Sequence, residues 1–178
     1  LATMGTASAT GAWCALVGLP PVSAEAAREF GIAVEHTPVI AAPRPGSSRA
    51  WTGLIAALLD TLDVVAARPG AALDAGDLSR LAARARTKGA TLLLSAEGAA
   101  AWPGLDLRLR VQDQTWQRAP GPRGRLTARR ITVAAHGRGR FARPREVGLW
   151  LPDRWGRIAP AEPVEVSWAE DARVGPSR

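Results

Sequence analysis

Few residues in this chain could do chemistry, and they stand far apart. Its 178 residues hold two histidines, His36 and His136, one cysteine, Cys14, and one lysine, Lys88. A metal site needs Cys, His and carboxylates clustered at set spacings, which one Cys and two distant His do not supply. Neither histidine has an Asp, Ser or Cys close to it in sequence, so each reads as a surface or turn residue. A phosphate-cradling loop needs a Gly-rich turn and then Lys and Ser/Thr at a helix N-terminus, so that backbone N–H groups and the ammonium converge on the phosphates. Lys88 instead ends a predicted helix. No catalytic residue, metal site or cofactor is expected from these residues.

The stretch "LDVVAARPG", residues 62–70, sharpens the point. Apolar strands between amphipathic helices are where many nucleotide hydrolases place a metal-binding aspartate, and ligands bind outside the carboxyl ends of such strands. Here that end carries Arg68 and Pro69, and the two preceding strands end in Gly18-Leu19-Pro20-Pro21 and Ala41-Ala42-Pro43. Only the fourth has an acid nearby, Glu97, which reads as a solvated charge.

The net charge is +7, and its distribution is uneven. Residues 1–105 carry eight basic and eight acidic side chains, residues 106–157 thirteen and four, and residues 158–178 two and four. Lys88 is the only lysine, so arginine is a chain-wide preference and says nothing about bidentate recognition at one site. "RGRLTARRITVAAHGRGRFARPR", residues 123–145, has no acid in it. Arg125, Arg129, Arg130, Arg138, Arg140 and Arg143 are therefore candidates for phosphate contact. The plainer reading is a strand whose Thr127 and Arg129 share a solvent face, and Phe141 is the only aromatic available for base stacking. Of the seven tryptophans, Trp13 and Trp51 read as core, whereas Trp102, Trp116, Trp150, Trp155 and Trp168 lie in or near loops and strand ends.

These residues must be positioned by an α/β scaffold. At 47% hydrophobic and 22% charged the chain is of ordinary globular composition and long enough for one domain with a core. Trp13–Leu19, Thr37–Ala42, Asp63–Ala67 and Ala90–Leu94 read as strands, with helices between them. Ser23 is a predicted N-cap and Gly31 a helix end. Trp51, Leu54, Ile55, Leu58, Leu59 and Leu62 recur as one helical stripe. Asp74 or Asp77 caps the next helix, whose buried face is Leu78, Leu81, Ala82 and Ala85 and whose end carries Arg84, Arg86 and Lys88 before Gly89. Strands separated by helices imply parallel pairing.

The period then changes. In "LDLRLRVQ", residues 105–112, apolar Leu105, Leu107, Leu109 and Val111 alternate with polar residues, as in a half-buried strand. Further strands at Leu126–Ala135 and Val147–Leu151, without helices, predict an antiparallel meander on the edge of the parallel sheet. Residues 159–178 read as a loosely attached tail. Cys14 in an apolar run reads as a buried free thiol of a reducing compartment. No stretch reaches eighteen uncharged apolar residues and the first residues lack a signal-peptide pattern, so the cytoplasm and no membrane association are expected. The chain opens on what reads as the tail of a helix that begins upstream.

In order, these elements resemble the RecA core from just after its phosphate loop. "ATGAWCALVGLP" resembles its second helix–strand unit, "SAEAAREFGI" the next helix and Gly turn, and "LLDTLDVVAARP" the unit ending in the metal-binding strand. "ARARTKGATLLLS" resembles the following helix and strand, and "LRLRVQDQTW" with "GRLTARRITVAAHGRGR" the closing antiparallel strands. Arg68-Pro69, the degenerate strand ends and "VGLWLPDRWG" are most similar to actinobacterial ImuA-type accessory proteins of the mutasome, which performs error-prone translesion synthesis.

The resemblance covers residues 1–158 and implies a RecA-like core: a central, mainly parallel sheet flanked by helices, with C-terminal antiparallel strands. Where RecA has a catalytic glutamate this chain has Gly18-Leu19-Pro20-Pro21. Where RecA has an aspartate it has Ala67 and Arg68, and Ser95 stands at the polar sensor. The stretches matching RecA's DNA-binding loops, residues 68–76 and 95–104, are short and nearly free of positive charge. Phosphoryl transfer needs bound magnesium and an oriented water even if a phosphate loop lies upstream, so an adaptor is expected rather than an ATPase.

What the resemblance leaves intact is the surface by which RecA protomers join. It implies docking of an ImuB-type polymerase-like adaptor, and through it an error-prone polymerase, by strand addition at Thr37, Val39 and Ile40, with apolar contacts from Trp51 and Ile55. Self-association could use the same surface. The alternatives are a DNA-binding module acting through residues 123–145, an ATPase with an upstream loop, and a division inhibitor of the related SulA type.

Overall fold

The computed structural model describes residues 1–43, 47–69, 73–95, 102, 104–121 and 124–161, with the side chain of Arg140 excepted. The chain divides after Leu105 into two compact units rather than the single domain its length allows.

The first unit is a parallel sheet with helices on both faces. Strands β1 (Cys14–Val17), β2 (Val39–Ile40), β3 (Val64–Ala67) and β4 (Thr91–Leu94) lie in the order β2-β1-β3-β4. The helices are α1 (Gly5–Ala9), α2 (Ala24–Glu29), α3 (Ser48–Leu59) and α4 (Ala75–Lys88). All four residues of both β1 and β3 are buried, and their side chains alternate between two cores. Ala15, Val17, Val65 and Ala67 meet Trp51, Ile55 and Leu59 of α3 and Leu81 and Ala85 of α4. Cys14, Leu16, Val64 and Ala66 meet Met4, Ala27 and Ile32 on the other face. Burying each large apolar side chain contributes about 1.5–3 kcal/mol, so these two layers dominate the unit's stability.

Local chemistry sets the helix ends. The side chain of Ser23 accepts from the Ala26 N–H, that of Ser47 from Ala50, and that of Asp74 from Asp77, each satisfying a donor in a first helical turn. Of the two expected caps for α4, Asp74 is therefore the one used. Gly89 closes α4 in the left-handed region. The stripe predicted to Leu62 stays helical only to Leu59, and Leu62 still packs partly buried against the same core. In α1, a Cβ on Gly5 would stand 1.9 Å from the Phe30 carbonyl oxygen, so only glycine lets that short helix approach the end of α2. Cys14 is buried and free, and burial pushes its thiol pKa up.

The second unit is an antiparallel sheet of β5 (Leu107–Arg118), β6 (Leu126–Gly137), β7 (Arg145–Trp150) and β8 (Ala159–Pro160), in that order. The meander was expected to extend the parallel sheet. Instead its strands satisfy their backbone groups through their own ladders and form a separate sheet. The expected tail begins later than Ala159, because β8 pairs with β7 and Ala161 is buried, donating its N–H to Gly148 O at 3.0 Å. The remainder, with Trp168, lies outside the described residues, as does Glu97.

The alternation read at 105–112 survives, but its burial does not. Leu107, Leu109 and Val111 share a face, yet Leu109 and Val111 are 48% and 54% exposed. Val147 shares that face from β7, which is paired on both sides, and is likewise 48% exposed, so the exposure belongs to this part of the sheet face and not to the edge position of β5.

Candidate functional site

Two features of the first unit bear on function: the carboxyl ends of its strands, and its open edge at β2. Chain order reverses between β1 and β3, where open α/β sheets place a ligand crevice. That point is closely packed. Gly18 follows β1 with φ +63°, and a Cβ there would stand 2.8 Å from the Ala42 Cβ and 3.1 Å from the Arg68 carbonyl oxygen. The Gly18 N–H donates to Ile40 O and the Arg68 N–H to Val17 O, which draws the ends of β1, β2 and β3 together.

A magnesium triphosphate, the group a RecA-like fold implies, needs oxygen ligands at these ends. The described ends of β1, β2, β3 and β4 continue instead into Gly18, Ala41, Arg68 and Ser95. No cluster of three potential metal ligands occurs among the described residues. The described residues at these ends do not fit that group.

The edge is built differently. Because the order starts at β2, one side of that strand faces no other strand among the described residues. Leu16 N–H donates to Pro38 O and Gly18 N–H to Ile40 O, both at 3.0 Å, so residues 38 and 40 serve the ladder to β1. Strand geometry then turns the Val39 N–H and C=O outward. Val39 itself is 71% exposed.

The approach to this edge is fastened from several sides. Ser8 Oγ accepts from the Ala33 N–H at 2.9 Å, Thr37 Oγ1 donates to Ala33 O at 2.8 Å, and the His36 ring stacks on Trp13 with centroids 4.7 Å apart. Asp63 Oδ2 accepts from the Trp13 N–H at 2.8 Å, holding the other half of that stack.

The five residues expected at the docking surface therefore separate. Val39 is fully offered, and Ile40 is half-buried against the first core. Thr37 is buried and shapes the edge from behind. Trp51 and Ile55, 2% and 0% exposed, lie inside the core and can touch a partner only if the fold opens, so they support the edge rather than contact anything on it. Trp13, read as core, is instead 48% exposed, because it precedes β1 and leans on His36. The signal that could have found it was the polar Asp63 opposite it in the parallel register.

The arginine candidates also separate. Arg125 and Arg138 flank the 12 residues of β6, about 40 Å apart along the strand. Arg129 is half-buried; its Nε donates to Leu151 O at 2.7 Å and its guanidinium lies over Trp116 at 5.3 Å. Arg130 projects from the opposite face and is exposed. Arg138 pairs with Asp106 at 3.3 Å, Arg143 is exposed before β7, and the side chain of Arg140 lies outside the described residues. The five whose side chains are described, Arg125, Arg129, Arg130, Arg138 and Arg143, are not gathered into one patch.

No helix among the described residues is long and apolar enough to cross a membrane. No curated protein matches the chain. A family model described as the MT3502 N-terminal domain matches residues 1–104, which is the extent of the first compact unit to within one residue. With more than half its length so matched, the chain belongs to the MT3502 N-terminal domain family.

Proposed function

We propose that this protein is a non-catalytic, RecA-like accessory factor of ImuA type. In this reading it works in the cytoplasm and docks an ImuB-type polymerase-like adaptor by strand addition at β2, in support of error-prone translesion synthesis. The observation that carries the reading is the open parallel edge, where Val39 stands 71% exposed with its backbone groups turned outward. An extended segment of the partner would gain main-chain hydrogen bonds along Val39 and apolar contact with Val39 and Trp13. The closed strand-end crevice supports the same reading, since an adaptor has no need of room for a triphosphate.

The test is capture of the adaptor by the full chain and by its Val39→Asp variant. Val39 is exposed, so the variant keeps its fold by circular dichroism, while the charge and lost contact lower capture by about tenfold or more. Undiminished capture by the folded variant removes β2 as the docking site.

A further inference from the structure

We propose that two copies of this chain associate through the second unit, by antiparallel pairing of β5 with β5 about a two-fold axis between Val111 and Gln112. This goes beyond the docking reading and uses another unit and another sheet edge.

β5 is the long free edge of its sheet. Its 12 residues pair with β6 on one side and face no other strand on the other among the described residues. The Arg138 N–H donates to Asp106 O, so even-numbered residues up to Arg110 serve the ladder to β6, while Leu107 and Leu109 turn their backbone groups outward. Gln112 is an extra residue in β5, between Val111 opposite Val133 and Asp113 opposite Thr132. Past it the parity is inverted: Asp113 and Thr115 serve β6, and Gln114 and Trp116 turn outward. The side chains follow. Leu107, Leu109, Val111, Gln114 and Trp116 share one face, and Arg108, Arg110, Asp113 and Thr115 share the other.

This bulge fixes the symmetric register. In a two-fold antiparallel pair each residue opposes one on its own face, and outward backbone groups must meet outward ones. For pairing that runs through the bulge, only an axis between Val111 and Gln112 sets every residue before it against one after it and so satisfies both conditions. Leu107 then opposes Trp116 of the other copy, Leu109 opposes Gln114, Arg108 opposes Thr115 and Arg110 opposes Asp113. A shorter pairing about Leu109 leaves half of the strand free and sets Arg108 against Arg110.

Backbone parity alone selects this register, yet it also matches the side chains. Arg110 and Asp113 are exposed and make no ion pair among the described residues. The symmetry brings them together twice, directly opposed, where opposite charges stabilise a sheet. On the other face Leu107, 37% exposed, meets Trp116, 43% exposed, also twice, and Val111, 54% exposed, lies beside its own copy near the axis. Charges and bulges ordinarily guard an edge against pairing. Here the charges find partners in a second copy aligned by the bulge, which favours that occupant over an unrelated extended peptide.

The test is sedimentation equilibrium of the full chain at up to about 100 μM in about 150 mM salt, where repulsion between distant arginines is screened. The parent should be dimeric at the upper end of that range. Asp113→Arg sets Arg110 against arginine twice and should raise the dimer dissociation constant about tenfold or more, as should Arg110→Asp. Arg110→Asp with Asp113→Arg exchanges the charges and should return the constant to within about threefold of the parent. Both positions are exposed, so each variant should keep its fold by circular dichroism. A monomeric parent at the highest concentration, single variants that dimerise like the parent, or a double variant as weak as the singles would each overturn the proposal. So would loss of dimerisation in Val39→Asp, which would place self-association at β2. Every β5 variant retains β2, so adaptor capture is read separately and failure here stays distinct from failure of the docking reading.

Discussion

The indole of Trp13 stacks on the imidazole of His36 with 4.7 Å between centroids and 29° between planes. The pair joins the residue before β1 to the 3-10 turn before β2, so it aims the open edge as well as adding apolar area beside it. Trp13→Ala should weaken adaptor capture severalfold while costing the aromatic pair, about 0.5–1.5 kcal/mol, together with the burial of about half an indole, less than a fully buried tryptophan would cost. Comparing capture with urea midpoints checks this. A large stability loss would mean that Trp13 is core after all.

Strand addition makes a sharper demand than apolar docking does. Val39→Pro removes an N–H that points away from β1, a position where edge strands tolerate proline. The variant should fold with its ladder to β1 intact yet lose capture, whereas Val39→Thr should retain most of it. Amide exchange of Gly18, whose N–H serves Ile40 O at 3.0 Å, reports whether the ladder survives.

Placing an acid at the end of β1 should not create a hydrolase. Gly18→Glu forces a left-handed residue costing about 1–2 kcal/mol, and its Cβ meets Ala42. Gly18→Ala suffers the same strain without the charge, so both variants should unfold at lower urea concentration. An alanine variant as stable as the parent would show that the crevice can open.

Ile55→Ala should cost about 2–5 kcal/mol, as truncation in a filled core does. Adaptor capture should then fall only in proportion to the folded fraction. Capture lost at full stability would put Ile55 on the partner surface.

Asp60, at the end of α3, receives Nε–H of Arg84 at 3.0 Å and an Nη2–H on its other oxygen, and Lys88 lies 3.5 Å away. The Arg84 hydrogen bond is the main cause that lowers its pKa. A depressed carboxyl stabilises the fold above its unfolded value, about 3.9, and that contribution disappears as pH falls through the lower folded value. Asp60→Asn should therefore reduce stability at pH ~7 and flatten the acid limb of a urea-midpoint profile. The effect should shrink in high salt, as the partners are solvent-facing.

Much of the first unit was legible because its signals are local. Ser23, Asp74 and Gly89 cap their helices where side-chain chemistry demands, and the stripe from Trp51 to Leu59 has one period and one buried face. Trp13 misled because an indole in an apolar run looks the same whether it begins a strand or precedes it. The fate of Leu109 and Val111 depends on what packs over their face of the sheet, which alternation does not contain; Val147 on the same face is as exposed. The arginines were legible as a cluster in sequence but not as a surface. Arg129 and Arg130 are adjacent in the chain and project from opposite faces of the sheet, while Arg110 and Arg130, distant in the chain, project from the same one.

Because β1 and β3 are buried along their whole length and feed a core from each side, neither strand has a position free to drift. Random mutagenesis of the first unit should consequently return viable clones whose changes crowd at the rims of the sheet. Any novelty this domain acquires in evolution would begin there, at its margins, with the central pair held fixed by packing alone.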